Sequence, residues 1–133
     1  MRVDEKLLDW NGMYYFEGKP FTGVAEERRA DGTLWTETAI LNGVEHGPYR
    51  EWNADGLLTA EWTHDGGAVH GVLRKRHDNG RLAEETEYLW GYNMKSTKWD
   101  YDGEVLLRME LKPDDLTYRE AMRIAANNRQ EAK

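Results

Sequence analysis

Residues 30–56 read ADGTLWTETAILNGVEHGPYREWNADG, and this stretch decides the fold. It opens and closes on Asp-Gly, and the same grammar returns farther along. Gly32, Gly56 and Gly80 are evenly spaced (56 − 32 = 80 − 56 = 24), each preceded by Asp31, Asp55 or Asn79. Leu34, Leu58 and Leu82 come two residues after them, and Glu37, Glu61 and Glu85 five residues after them. Gly23, Gly47 and Gly71 keep the same period, with His46 and His70 before the last two; a looser series runs Gly18, Gly43, Gly67. Fixed self-similarity at this length marks a repeat array, whose units bury their apolar faces against their neighbours. Such arrays usually present an extended surface and seldom enclose a catalytic pocket.

Within one unit, Pro48–Trp52 reads as a short strand, Asn53-Ala54-Asp55-Gly56 as a turn and Leu57–Thr63 as the return strand. Asp-Gly or Asn-Gly between two such runs is a strong hairpin signal, because these residues tolerate the positive φ of the turn. A fourth turn, Tyr101-Asp102-Gly103, comes one residue early, and loops such as NGVEHG or GGAVHG are expected to join successive hairpins. Alternation places Leu58, Ala60 and Trp62 on one face and Thr59, Glu61 and Thr63 on the other. The same offsets give Leu34, Thr36, Thr38 and Val105, Leu107, Met109. Tyr49 and Trp52 are three apart and share a face only across a bulge, so the outgoing register stays open. Leu34, Leu58 and Leu82 should stack into an apolar ladder. Polar ends are expected, to prevent edge-to-edge pairing.

The grammar changes after Pro113. Thr117 and Glu120 match a capping box, and Asp114 or Asp115 offers an earlier cap. Tyr118, Ala121, Met122 and Ala125 form one apolar helical stripe that should dock on the sheet, with Asn127-Asn128 ending the helix. Val3–Trp10 admits either a strand or a short helix. The expected organisation is one structural domain. It comprises a lead-in over 1–17, hairpin repeats over 18–111, and a helix with its tail over 112–133.

Composition narrows the function. Among 133 residues, 39% are hydrophobic and 32% charged, which suits a thin structure with much exposed surface. The net charge of −7 disfavours nucleic acid and anionic membranes and attracts a basic protein. There is no cysteine, hence no disulfide framework. The opening MRVDEKLLDWNG carries no apolar signal region, so a cytoplasmic location is expected.

The stretches DGTLWTETAILNGVEHGPYREWNADG and DGLLTAEWTHDGGAVHGVLRKRHDNG, with the opening YYFEGKPFTGVAEERRADG, resemble MORN-type repeats in their bacterial variant. The resemblance runs from about Tyr14 to Leu111 and implies a mainly β fold, with consecutive antiparallel hairpins stacked into an elongated, twisted single sheet. It also implies an antitoxin or immunity-type role against a cognate toxin, and it supplies no catalytic residue. The alternative is a general interaction scaffold or a peripheral membrane-associated module. Residues 90–103, WGYNMKSTKWDYDG, depart from the pattern by lacking His-Gly, which suits a capping unit or a surface rebuilt for a partner.

Seven residues are candidates for partner binding. Glu37, Glu61 and Glu85 fall in a column, read either as carboxylates paired with Arg50, Arg74 or Lys75, or as an acidic stripe for a basic partner. Tyr49, Trp52, Trp62 and Trp99 supply flat surfaces that either brace the ladder or form binding hot spots. His46 and His70 recur in the connectors, where an imidazole can bond backbone; His64 and His77 read as surface or strand residues. The run Arg74-Lys75-Arg76-His77 reads as a solvated strand. No nucleophile–base pair, metal-ligand spacing or cofactor motif stands out. The expectation is a non-enzymatic protein without metal or cofactor, which lays an acidic, aromatic-bearing sheet face on a basic toxin, with the sheet ends open to homodimerisation.

Overall fold

A computed structural model describes residues 1–131. The lead-in supplies β1 (Arg2–Asp4), a 3-10 turn (Glu5–Leu7), β2 (Asp9–Trp10), β3 (Tyr14–Phe16) and β4 (Lys19–Pro20). The repeats follow as β5 (Gly23–Arg28), β6 (Leu34–Leu41), β7 (Val44–Trp52), β8 (Leu58–Asp65), β9 (Ala68–Val69), β10 (Gly71–Arg76), β11 (Leu82–Leu89), β12 (Tyr92–Trp99) and β13 (Val105–Glu110). A single helix, α1 (Leu116–Glu131), closes the described chain. The repeat strands form one large, open antiparallel sheet in sequence order, which β1 joins in parallel beside β5; β2, β3 and β4 make a separate three-stranded sheet. Val3–Trp10 therefore contains strand and helical turn together.

The period has a local cause. At each hairpin tip one backbone pattern recurs, with Asn53 N–H donating to Leu57 O and Gly56 N–H donating to Asn53 O. Arg29, His77 and Asp100 start the equivalent turns, so the fourth is intact despite its missing residue. Before every tip the register slips by one, as between Glu51 and Trp52. The extra residue, Thr59, is on the return strand, so β7 alternates regularly: Tyr49 opposite Trp62 and Glu51 opposite Ala60 share one face, while Trp52, opposite Leu58, lies with Arg50 on the other.

The connectors differ from the expected loops. Asn42-Gly43, Gly66-Gly67 and Trp90-Gly91 each place two successive residues at positive φ, the two-residue turn that best matches strand twist. Strand β7 consequently starts at Val44 and contains most of the supposed loop. Each connector is tied to the previous unit by a repeated side-chain acceptor. Thr22 Oγ1 accepts from Asn42 N–H (2.8 Å), His46 Nδ1 from Gly66 N–H (3.1 Å) and His70 Nδ1 from Trp90 N–H (3.1 Å). The two histidines are thus committed to holding units together.

The core is thin and runs along one face. Ala25, Thr36, Thr38, Ile40, Ala60, Leu73, Thr86 and Ser96 are buried there, most of them small, and Thr86 and Ser96 share a hydroxyl hydrogen bond of 2.7 Å. Val3 and Phe21 pack with Ala25 and Ile40, and Leu8, Tyr14 and Phe16 pack against this cluster. At the other end α1 docks on β11 and β12, burying Ala121 and Ala125. Tyr118 and Met122, from the same stripe, line a cavity of about 420 Å³ with Tyr88, Leu89 and Met94. The helix starts two residues earlier than a Thr117 cap allows, at the alternative cap Asp115, whose carbonyl already accepts from Arg119 N–H, and it continues through Asn127-Asn128. Among the described residues no helix is long and apolar enough to cross a membrane.

The expected polar ends are found at one edge only. The sheet starts at the short charged strand β1 but finishes at β13, where Val105, Leu106 and Leu107 are 45%, 67% and 46% exposed. Nothing pairs with the far side of β13 in the described sheet.

Candidate binding face

Residues directly opposite one another on paired strands project to the same face of a sheet. One row runs Glu26, Glu37, Arg50, Glu61, Arg74, Glu85, Thr97, Arg108 from β5 to β13. Glu37, Glu61 and Glu85 do lie in a column, but Arg50 and Arg74 stand between them. Arg74 Nε donates to Glu85 at 3.0 Å, and Arg2 reaches over from β1 to bridge Glu26 and Glu37. The Arg2 bond, more than any other influence, holds the Glu26 carboxyl below the usual range. The row is a neutralised ladder of mixed sign, and such exposed pairs each contribute little to stability.

The aromatic candidates divide between the two faces. Trp62 follows Glu61 in an extended strand, so the two side chains emerge on opposite faces. The expected single face carrying Glu61, Glu85, Trp52 and Trp62 is therefore split: alternation leaves Trp52 and Trp99 on the side of Glu61 and Glu85 and puts Trp62 with Tyr49 on the other. Tyr49 and Trp62 are brought together, their rings stacked at 4.2 Å with planes 24° apart, and Lys75 Nζ sits 5.8 Å from the indole centroid. Trp52 lies toward the hairpin tip, lining a cavity of about 310 Å³ with Leu34 and the turn from Asn53 to Gly56. Trp99 is at the tip of the last hairpin, where its carbonyl bonds His77 Nε2 at 3.0 Å.

Four acidic residues missed in the sequence reading cluster near the stacked pair: Glu51, Glu27 and Glu5 about Tyr49, and Glu45 on His64, which meets Trp62 edge-on. Tyr49 O–H donates to Glu51 at 3.1 Å, Thr36 O–H donates to Glu27 at 2.9 Å, and His64 Nε2 lies 2.8 Å from Glu45. His64, expected as a surface or strand residue, is a strand residue 8% exposed, and its Nδ1 is buried without a partner. Burial pushes the Glu5 carboxyl up to about 7, helped by the Glu27 carboxyl beside it and by Glu45 and Asp4. Burial also raises the Tyr49 phenol, with Glu51 the next cause, and raises the Tyr14 phenol, with Glu45 next. The 24-residue step from Glu27 to Glu51 carried this signal; Lys75 breaks it in the third unit. Glu5 lies outside the period and was invisible to it.

Chemically, the arrangement is a flat aromatic platform beneath a rim of clustered carboxylates. It can accept cationic groups, and desolvation strengthens that attraction. Among the described residues, no group of three or more His, Asp or Glu side chains is arranged to hold a metal ion. Comparisons with family models, with curated proteins and with solved structures found no match to this chain.

Proposed function

We propose that this chain is a non-catalytic binding protein that neutralises a cognate, basic toxin protein, as bacterial antitoxin or immunity-type MORN-repeat proteins do. The single observation that carries the binding reading is the Tyr49–Trp62 stack with Glu5, Glu27 and Glu51 about Tyr49 and Glu45 beyond His64. The toxin as partner comes from the repeat resemblance. In this mechanism a lysine or arginine of the partner enters the carboxylate rim while an apolar or aromatic residue covers the indole. Long-range attraction from the net charge of −7 speeds encounter, and burial of the aromatics slows dissociation. The backbone of the face is fixed in advance by the turn and connector bonds, so little ordering entropy opposes association.

The test is co-purification of the tagged full chain from the organism that makes it, followed by co-expression with the protein recovered. A basic protein that arrests growth alone and is silenced by co-expression is the expected result. Recovery of no such protein, or of one whose toxicity is unaffected, contradicts the proposal.

A further inference from the structure

The geometry points to a second interaction surface: the free edge of β13 pairs antiparallel with β13 of a second copy of this chain, in the register that sets Met109 opposite Met109. The sheet ends at β13 in an edge long enough to template another strand. Leu111 N–H donates inward to Met94 O at 2.9 Å. Alternation along the strand then turns the N–H and C=O groups of Arg108 and Glu110 outward, away from β12, short of the bulge at Leu106. Helix α1 lies against β11 and β12, so it does not cover this edge.

Charge selects both the partner and the register. With Met109 on the dyad, Arg108 of each copy faces Glu110 of the other, so both ion pairs form at once. These outward-facing positions also exchange backbone hydrogen bonds. Centring the pairing on Arg108 sets guanidinium against guanidinium, and centring it on Leu107 sets Glu104 against Glu110. On the opposite face of the chosen register, Leu107 of each copy meets Leu111 of the other beside the Met109 pair. That contact shields the 46% exposed Leu107. The mixed-sign row ending at Arg108 would continue across the dyad onto Glu110 of the second copy. An edge that is complementary to itself in charge, hydrogen bonding and apolar contact fits a second copy better than an arbitrary strand.

The test is sedimentation or light scattering of the full chain over a concentration series, with R108E and E110R made separately and together. Wild type is expected to sediment as a dimer. Each single variant sets like charges together twice and should weaken association by roughly tenfold or more. An equimolar mixture of R108E and E110R is complementary again and should form the heterodimer, and the double variant R108E/E110R should dimerise alone. A wild type that is monomeric throughout overturns the inference. So do single variants that associate as tightly as wild type, or a mixture and a double variant that both remain monomeric.

Discussion

Gly43 and Gly56 both sit at positive φ, 83° and 86°, yet they do different work. A Cβ at Gly56 meets nothing within 4 Å, whereas at Gly43 it lies 2.9 Å from both Tyr14 O and the Met13 side chain. Gly56→Ala is expected to cost about 1 kcal/mol of backbone strain, and Gly43→Ala about 2 kcal/mol or more, since the lead-in must also shift. Urea unfolding of the two variants measures the difference; equal losses contradict it. Glu5 gives a second prediction. Its carboxyl holds a proton up to about pH 7 when folded, against 4.5 for the ordinary group. The folded state binds the additional proton between those values, so this contribution to stability is present below pH 4.5 and is lost as pH rises through 7. Glu5→Gln should match wild type at pH 4 and be the more stable protein at pH 8. A difference that is the same at both pH values in thermal melts would refute the cluster.

Successive hairpins are coupled as well as stacked. His70 takes Trp90 N–H on Nδ1 and stacks its ring on the Trp90 indole at 4.3 Å. That pair fixes the one connector in which a tryptophan occupies a position held by Asn42 or Gly66 in the others, at φ 48°. His70→Ala leaves the N–H without its acceptor and the indole without its lid. The expected loss is about 1–2 kcal/mol in chemical denaturation, partly recovered by His70→Asn, which restores an acceptor. No loss in H70A would mean that the units are held by strand pairing alone. At this scale the sequence was most readable, because a period in glycines is a period in turns. What stayed hidden has physical reasons. The extra residue after each tip, Thr59 in the second hairpin, cannot be seen in a side-chain pattern, and it takes Leu58 off the Ala60 face that simple alternation gives it. Connectors looked like loops because Asn-Gly and Gly-Gly mark positive φ without giving loop length. The helix ran past Asn127-Asn128 because weak local helix formers alone do not terminate an established helix.

Across the whole molecule, the column of Glu37, Glu61 and Glu85 was legible from the period, and so was its pairing with Arg50 or Arg74 as one of two readings; choosing between them took the strand register. The neutralising residues Arg50 and Arg74 sit on neighbouring strands, and their registration depends on bulges invisible in the sequence. Conversely, the acidic rim at Tyr49 and Trp62 unites side chains from the lead-in and from two repeat units, with Glu5 contributed by a segment outside the period. The sheet thus has one neutralised face, which also carries Trp52 and Trp99, and one face that brings the Tyr49–Trp62 stack together with acidic groups. This separation allows a test using adjacent residues of one strand. Trp62→Ala and Glu51→Lys alter the proposed platform, while Glu61→Lys alters the opposite face one residue from Trp62. The decisive measurement is the affinity of these three variants for the co-purified partner, by calorimetry or surface capture. The account predicts roughly a hundredfold or greater loss for Trp62→Ala and for Glu51→Lys, with Glu61→Lys within about threefold of wild type. Loss confined to Glu61→Lys, with Trp62→Ala binding normally, would contradict it.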